Sequence, residues 1–193
     1  MPSLIGNYKK QQATEQVKKA YSVLGQAFNR AVADYGDSSE WDSINSSNAQ
    51  DYFNTYWKPY LLTQDRCYGY KECGYSNVTP FSRSNRTRDS YMVHPDAGGT
   101  SGSSSRTLLY LNDGTFVMII AGSGYSADDR RILVDLNGPK LPNRFGNDVF
   151  FFLRVNGRGV LPYGYDKSES EINRDCSLSG SGYMCAAKLM QAG

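Results

Sequence analysis

The chain has 193 residues, of which 39% are apolar, 21% charged and 13% aromatic, a size and balance that fit one folded domain and exclude both a disordered polymer and a membrane bundle. Twenty-one Lys and Arg oppose nineteen Asp and Glu for a formal charge of +2, so there is no basic surplus to neutralise phosphates and nucleic acid is not an expected partner. A single histidine, His94, leaves little scope for histidine zinc sites or for acid–base chemistry at neutral pH.

The first element is a helix over residues 2–35. Apolar residues recur at helical spacing from Val17 through Ala20, Tyr21, Leu24, Ala27, Phe28, Ala31, Val32 and Tyr35, and Gly36 ends the pattern in the position that favours a left-handed residue. From Ser3 to Gln16 only Leu4, Ile5, Tyr8 and Ala13 are apolar, so the stripe thins toward the amino end. Such a helix runs about 50 Å, whereas the remaining residues form a globule of only about 39 Å. Its carboxyl half is therefore expected to pack on the domain through Val17, Tyr21, Leu24 and Phe28, the candidate packing and assembly positions, while its amino half projects as a stem. Lys9 with Lys10 and Lys18 with Lys19 fall on its wet face.

A second helix is expected from about Asn48 to Trp57, stopped by Pro59, with Tyr52, Phe53, Tyr56 and Trp57 as core residues. Residues 63–104 read as an irregular excursion that ends in the mobile-loop composition GGTSGSSS. Strands follow at 106–111 and 115–121, joined by Asn112-Asp113-Gly114, whose residues tolerate the positive φ of a tight hairpin. Further strands are expected at 132–135, 149–155 and 159–161, the last pair turned by Asn156-Gly157, and a short helix at 186–190. The plan is α+β, with the long helix across one face of an antiparallel sheet of four to five strands. It divides into a stem helix (1–36), a helix-and-loop excursion (37–105) and a sheet with a terminal cysteine region (106–193), all within one globular domain.

The four cysteines form two local pairs without C-x-x-C spacing. Of the three possible connectivities, short-range closure favours Cys67 with Cys73 and Cys176 with Cys185, each flanking a turn-rich stretch and each worth roughly 2–3 kcal/mol. Disulfides place the chain outside the cytosol. MPSLIGNYKK carries neither a cationic leader nor an apolar run of signal length, and the longest apolar runs, FVMIIAG and VFFFL, are strand-length. The expectation is an exported form trimmed at its start, or a chain that begins downstream of a membrane segment.

Chemistry-bearing clusters are few. Asp135, Asn137, Asn143, Asn147 and Asp148 gather hard oxygen donors in a Gly- and Pro-rich loop, so Asp135, Asn137 and Asp148 are candidate calcium ligands. The spacing is not that of an EF-hand, and the competing reading is an Asx-type turn in which these side chains cap backbone amides around Gly138. The stretch 122–126 is not a nucleophile elbow, and any Ser-His-Asp arrangement would have to recruit His94. Paired carboxylates could be drawn only from Asp128, Asp129, Asp166, Glu169 and Glu171, which read as solvated loops. No catalytic residue is assigned.

In order along the chain, PSLIGNYKKQQATEQVKKAYSVLGQAFNRAVADYGD, LLYLNDGTFVMIIA, ILVDLNGPKLPNRFGNDVFFF, VLPYG and DCSLSGSGYMCAAKLM resemble the soluble part of bacterial type IV pilin-like proteins, and more narrowly the pseudopilins of type II secretion systems. Residues 37–104 lie outside the resemblance. It implies a leader cleaved before a Phe, then an apolar helix bearing a Glu ahead of a proline that Pro2 matches. It also implies anchoring in the inner membrane, assembly with other pilin-like subunits by lateral packing of helices, no enzymatic activity, and in some major pseudopilins a calcium in a carboxyl-terminal loop. The expected function is a structural filament subunit. The alternatives are a pilus-tip or surface adhesin that holds a glycan or partner protein through residues 52–104, and a secreted hydrolase.

Overall fold

The computed structural model describes residues 2–42, 48–63, 67, 69–76, 81–83, 106–120 and 130–191, without the side chains of 2–10, 49, 106, 120 and 130. His94, the GGTSGSSS run and the pair Asp128 and Asp129 lie outside the described residues. Helix α1 is a single 34-residue element, Pro2–Tyr35, and it stops where Gly36 takes φ 79° while donating its amide to Val32 O at 2.9 Å. Helix α2, Ala49–Tyr56, and a 3-10 turn, Lys58–Tyr60, follow. Strands β1 (Arg106–Tyr110), β2 (Phe116–Ile120), β3 (Arg130–Asp135), β4 (Val149–Val155) and β5 (Gly159–Pro162) then form one antiparallel meander in sequence order. Helices α3, Glu169–Asp175, and α4, Cys185–Gln191, complete the chain. The arrangement is α+β.

The two-residue period of the strands sorts their side chains between two cores. In register, Leu109, Val117, Val134 and Phe150 form one row and Ile119, Ile132 and Phe152 the next, all facing α1 and α2. The opposite face carries Leu108, Met118, Leu133 and Phe151 in one row, and Tyr110, Phe116, Asp135 and Val149 in another. That face is covered by the described part of the excursion: Tyr70, Cys73, Tyr75 and Phe81 are all buried against it. The sheet is thus enclosed between a helical layer and an aromatic strap, and the strap is structural core where the sequence suggested only an irregular loop. Its start also runs beside the outer edge of β1, where Asn112 N donates to Leu62 O and Cys67 N to Leu108 O, both at 3.1 Å. A bare strand edge is a template for association, and this one is capped.

Two elements differ from the sequence reading. Strand β3 begins at Arg130, two residues before the apolar run at Ile132, because pairing of Arg131 with Leu153 continues the ladder past the buried residues. Residues 169–175 form a helix where a solvated loop was expected. Ser168 accepts the Glu171 amide while Glu171 accepts the Ser168 amide, a complete capping box, and Ile172 is the one buried apolar anchor.

Both local cysteine pairs are bonded: Cys67 to Cys73 with Cα atoms 5.4 Å apart, and Cys176 to Cys185 at 4.9 Å. The first bond closes the strap where it meets β1; the second joins the end of α3 to the start of α4. Disulfides persist in oxidising compartments, so the two bonds suggest an extracellular or periplasmic location. No described helix is long and apolar enough to cross a membrane.

Candidate functional site

Helix α1 is the first candidate, because its geometry decides what it can touch. Val17, Ala20, Leu24, Ala27, Phe28 and Ala31 are buried along one face. Tyr21 stacks on Phe152 with ring centroids 5.7 Å apart, and Phe28 sits between Trp41 at 5.4 Å and Trp57 at 6.2 Å. The four residues named from the sequence, Val17, Tyr21, Leu24 and Phe28, are therefore engaged in packing on the chain's own sheet and α2. Gln11, Gln12, Glu15 and Gln16 are exposed, with Ala13 and Thr14 half-buried, and the helical backbone continues to Pro2. The stretch before Val17 is roughly 22 Å long at a rise of about 1.5 Å per residue. On the flank facing the β1–β2 hairpin, Lys19 Nζ lies 2.7 Å from Asp113 Oδ2, an exposed pair worth at most about 1 kcal/mol.

The second candidate is the loop from Asp135 to Asp148. Asp135 ends β3 on the strap face and is fully buried. Its Oδ2 accepts the Tyr75 hydroxyl at 2.8 Å and its Oδ1 accepts the Asn137 amide at 3.2 Å. Asp148 accepts the amides of Asn143 at 3.0 Å and Arg144 at 2.7 Å, and the Asn137 side-chain amide at 3.3 Å. Asn143, at φ 50°, sets its side-chain amide against Lys140 O, 2.7 Å away, and Gly138 O, 3.1 Å away, two acceptors that assign the facing atom as the amide nitrogen. Gly138 itself takes φ 61° beside the Tyr110 ring. The three residues proposed as calcium ligands come together, and the carboxylate oxygens of Asp135 and Asp148 accept from hydroxyl and amide donors of the chain itself, one of them the Asn137 side chain. Among the described residues no group of three or more His, Cys, Asp or Glu is arranged to hold a metal ion. The hydrogen bonds are those of a self-capped Asx loop.

The electrostatics of this loop follow from burial. Removal from water pushes the Asp135 carboxyl up to about 8; the nearby Asp148 charge adds to the rise, and the Tyr75 and amide donors oppose it. Burial also raises Asp148, against the pull of the Arg144 and Asn143 amides. Tyr75 is held far above the ordinary phenol range by burial and by Asp135, and Tyr110 is pushed up to about 12 for the same two reasons. Tyr110 in turn donates its hydroxyl to Cys73 O. Two tyrosines, one on the strap and one on β1, thereby link the strap to the sheet.

The remaining residues named from the sequence do not converge. Asp166 lies 3.4 Å from Lys167 Nζ, Glu169 is in the first turn of α3 and Glu171 completes the capping box. Asp175, which went unremarked in the sequence, accepts the Ser181 hydroxyl and the Met184 amide, the latter at 2.7 Å, and so organises the second disulfide loop. Tyr52, Phe53, Tyr56 and Trp57 are core residues as expected, and Tyr70, Tyr75 and Phe81 of the span named for the adhesin alternative are also buried, while Tyr60 is half-buried and Tyr68 and Tyr91 lie outside the described residues. Arg154 is another residue sequence reasoning passed over. It is fully buried on β4, donates to the Tyr52 hydroxyl, and lies 5.6 Å from the Tyr52 ring and 5.8 Å from the Trp57 ring. Its only sequence signal is a charge interrupting the strand VFFFLRV.

A family model described as a family of unknown function, DUF6613, matches residues 3–78. The match takes in α1, α2 and the strap as far as Tyr75, and none of the sheet. No curated protein and no solved structure matches the chain.

Proposed function

We propose that this chain is a non-enzymatic structural subunit of a filament in the bacterial cell envelope, of the type IV pilus or type II secretion pseudopilus kind. In this reading it is exported, held in the inner membrane by an apolar helical segment ahead of Met1 before assembly, and packed in the filament against other pilin-like subunits. The observation that carries the proposal is the division of α1: a face buried on the sheet from Val17 onward, and a helical stretch ahead of it where Gln11, Gln12, Glu15 and Gln16 are exposed. A stem of that form can continue into an apolar segment and stack beside its neighbours while the sheet stays outside. The two disulfides agree with an exported compartment. The described carboxylates of Asp135, Asp148, Glu171 and Asp175 serve as internal caps, which is the work of a scaffold.

The test is cross-linking in cells that express the complete gene. Single variants Gln12→Cys and Gln16→Cys add one thiol each on the exposed stem, since all four native cysteines are bonded. Mild oxidation or a short thiol-specific linker should give a covalent dimer with each single variant, and a ladder of covalent multimers when Gln12→Cys and Gln16→Cys are combined, on a non-reducing gel. Monomer alone, from protein that remains folded and labels readily with a maleimide, would refute the filament reading.

A further inference from the structure

We draw no further inference here: the strongest candidate, the groove between α1, the β1–β2 hairpin and the 3-10 turn, lined by Lys19, Val23, Arg30, Tyr60, Leu62 and Asp113, carries nothing because Lys19 is paired with Asp113, Asp34 accepts the Tyr60 hydroxyl, and nothing in the structure shows what covers it.

Discussion

Asp135 is a carboxyl held well above its ordinary range by burial, and it supplies a prediction with a definite sign. Its carboxyl titrates near 8 in the fold against 3.8 when exposed, so between those values the folded chain keeps a proton that the unfolded chain releases. The stabilisation is complete below about pH 4 and is lost as pH rises toward 8. Urea midpoints should therefore fall between pH 5 and pH 8.5, and Asp135→Asn, which mimics the neutral acid, should flatten that fall; an unchanged slope in the variant would contradict the burial argument. Gly180 carries a steric prediction. A Cβ there would meet the backbone oxygens of Asp175 and, at 2.6 Å, Arg174, and backbone cannot swing aside as a side chain can. Gly180→Ala should cost about 1–3 kcal/mol in chemical denaturation with the disulfides intact. Neither property was legible in the sequence. Asp135 reads there as a surface oxygen donor because only the fold reveals that Tyr75, sixty residues earlier in the chain, lies over it.

At the scale of elements, α1 should behave as two helices of different energetic weight. Leu24 is fully buried, so Leu24→Ala should destabilise by about 2–5 kcal/mol, while Gln16→Ala, at an exposed position, should change stability by less than about 0.5 kcal/mol. Equal effects on thermal melting would remove the distinction between stem and packed half. The second disulfide spans only nine positions. Replacing Cys176 and Cys185 together by Ser should lower stability by about 2–3 kcal/mol and is expected to loosen α4 before the sheet, which hydrogen exchange can resolve by segment. Elements that announce themselves in sequence do so through repetition. Val17 to Ala31 repeats at helical spacing, and two unbroken apolar runs, Leu108 to Leu111 and Phe116 to Ile119, flank Asn112-Asp113-Gly114. Helix α3 has one buried apolar residue in seven and offers no period to detect; its visible trace was Ser168 followed three residues later by Glu171, a start signal that went unread. The strap was illegible for a different reason. Tyr70, Tyr75 and Phe81 are separated by Cys, Gly and Ser without any period, and their burial is set by the sheet face they meet.

For the whole molecule, most of both covers of the sheet comes from the first 83 residues and all five strands from residues 106–162, with Tyr183 and α4 adding to the covers from the carboxyl end. The family match at residues 3–78 therefore corresponds to the covering layers without the sheet they enclose. Each part buries its apolar surface mainly on the other, so neither should fold alone. Fragments 1–83 and 106–193, each unstructured by circular dichroism when purified separately, should regain α+β signal and co-elute on mixing under oxidising conditions. A compact, cooperatively melting 1–83 by itself would show that the covering layers possess a core of their own.

The meander has a further consequence for how the chain reaches this state. Because every strand pairs with its neighbour in sequence, the sheet can close hairpin by hairpin with short loops. The layers that shield it are synthesised first and must wait, with Leu24, Phe28, Tyr70 and Tyr75 in water, until the last strands exist to receive them. The slow and vulnerable interval in the life of this protein is thus the delay between the emergence of its helix and the completion of β5. Any factor that guards it during biogenesis will have to hold the first 83 residues.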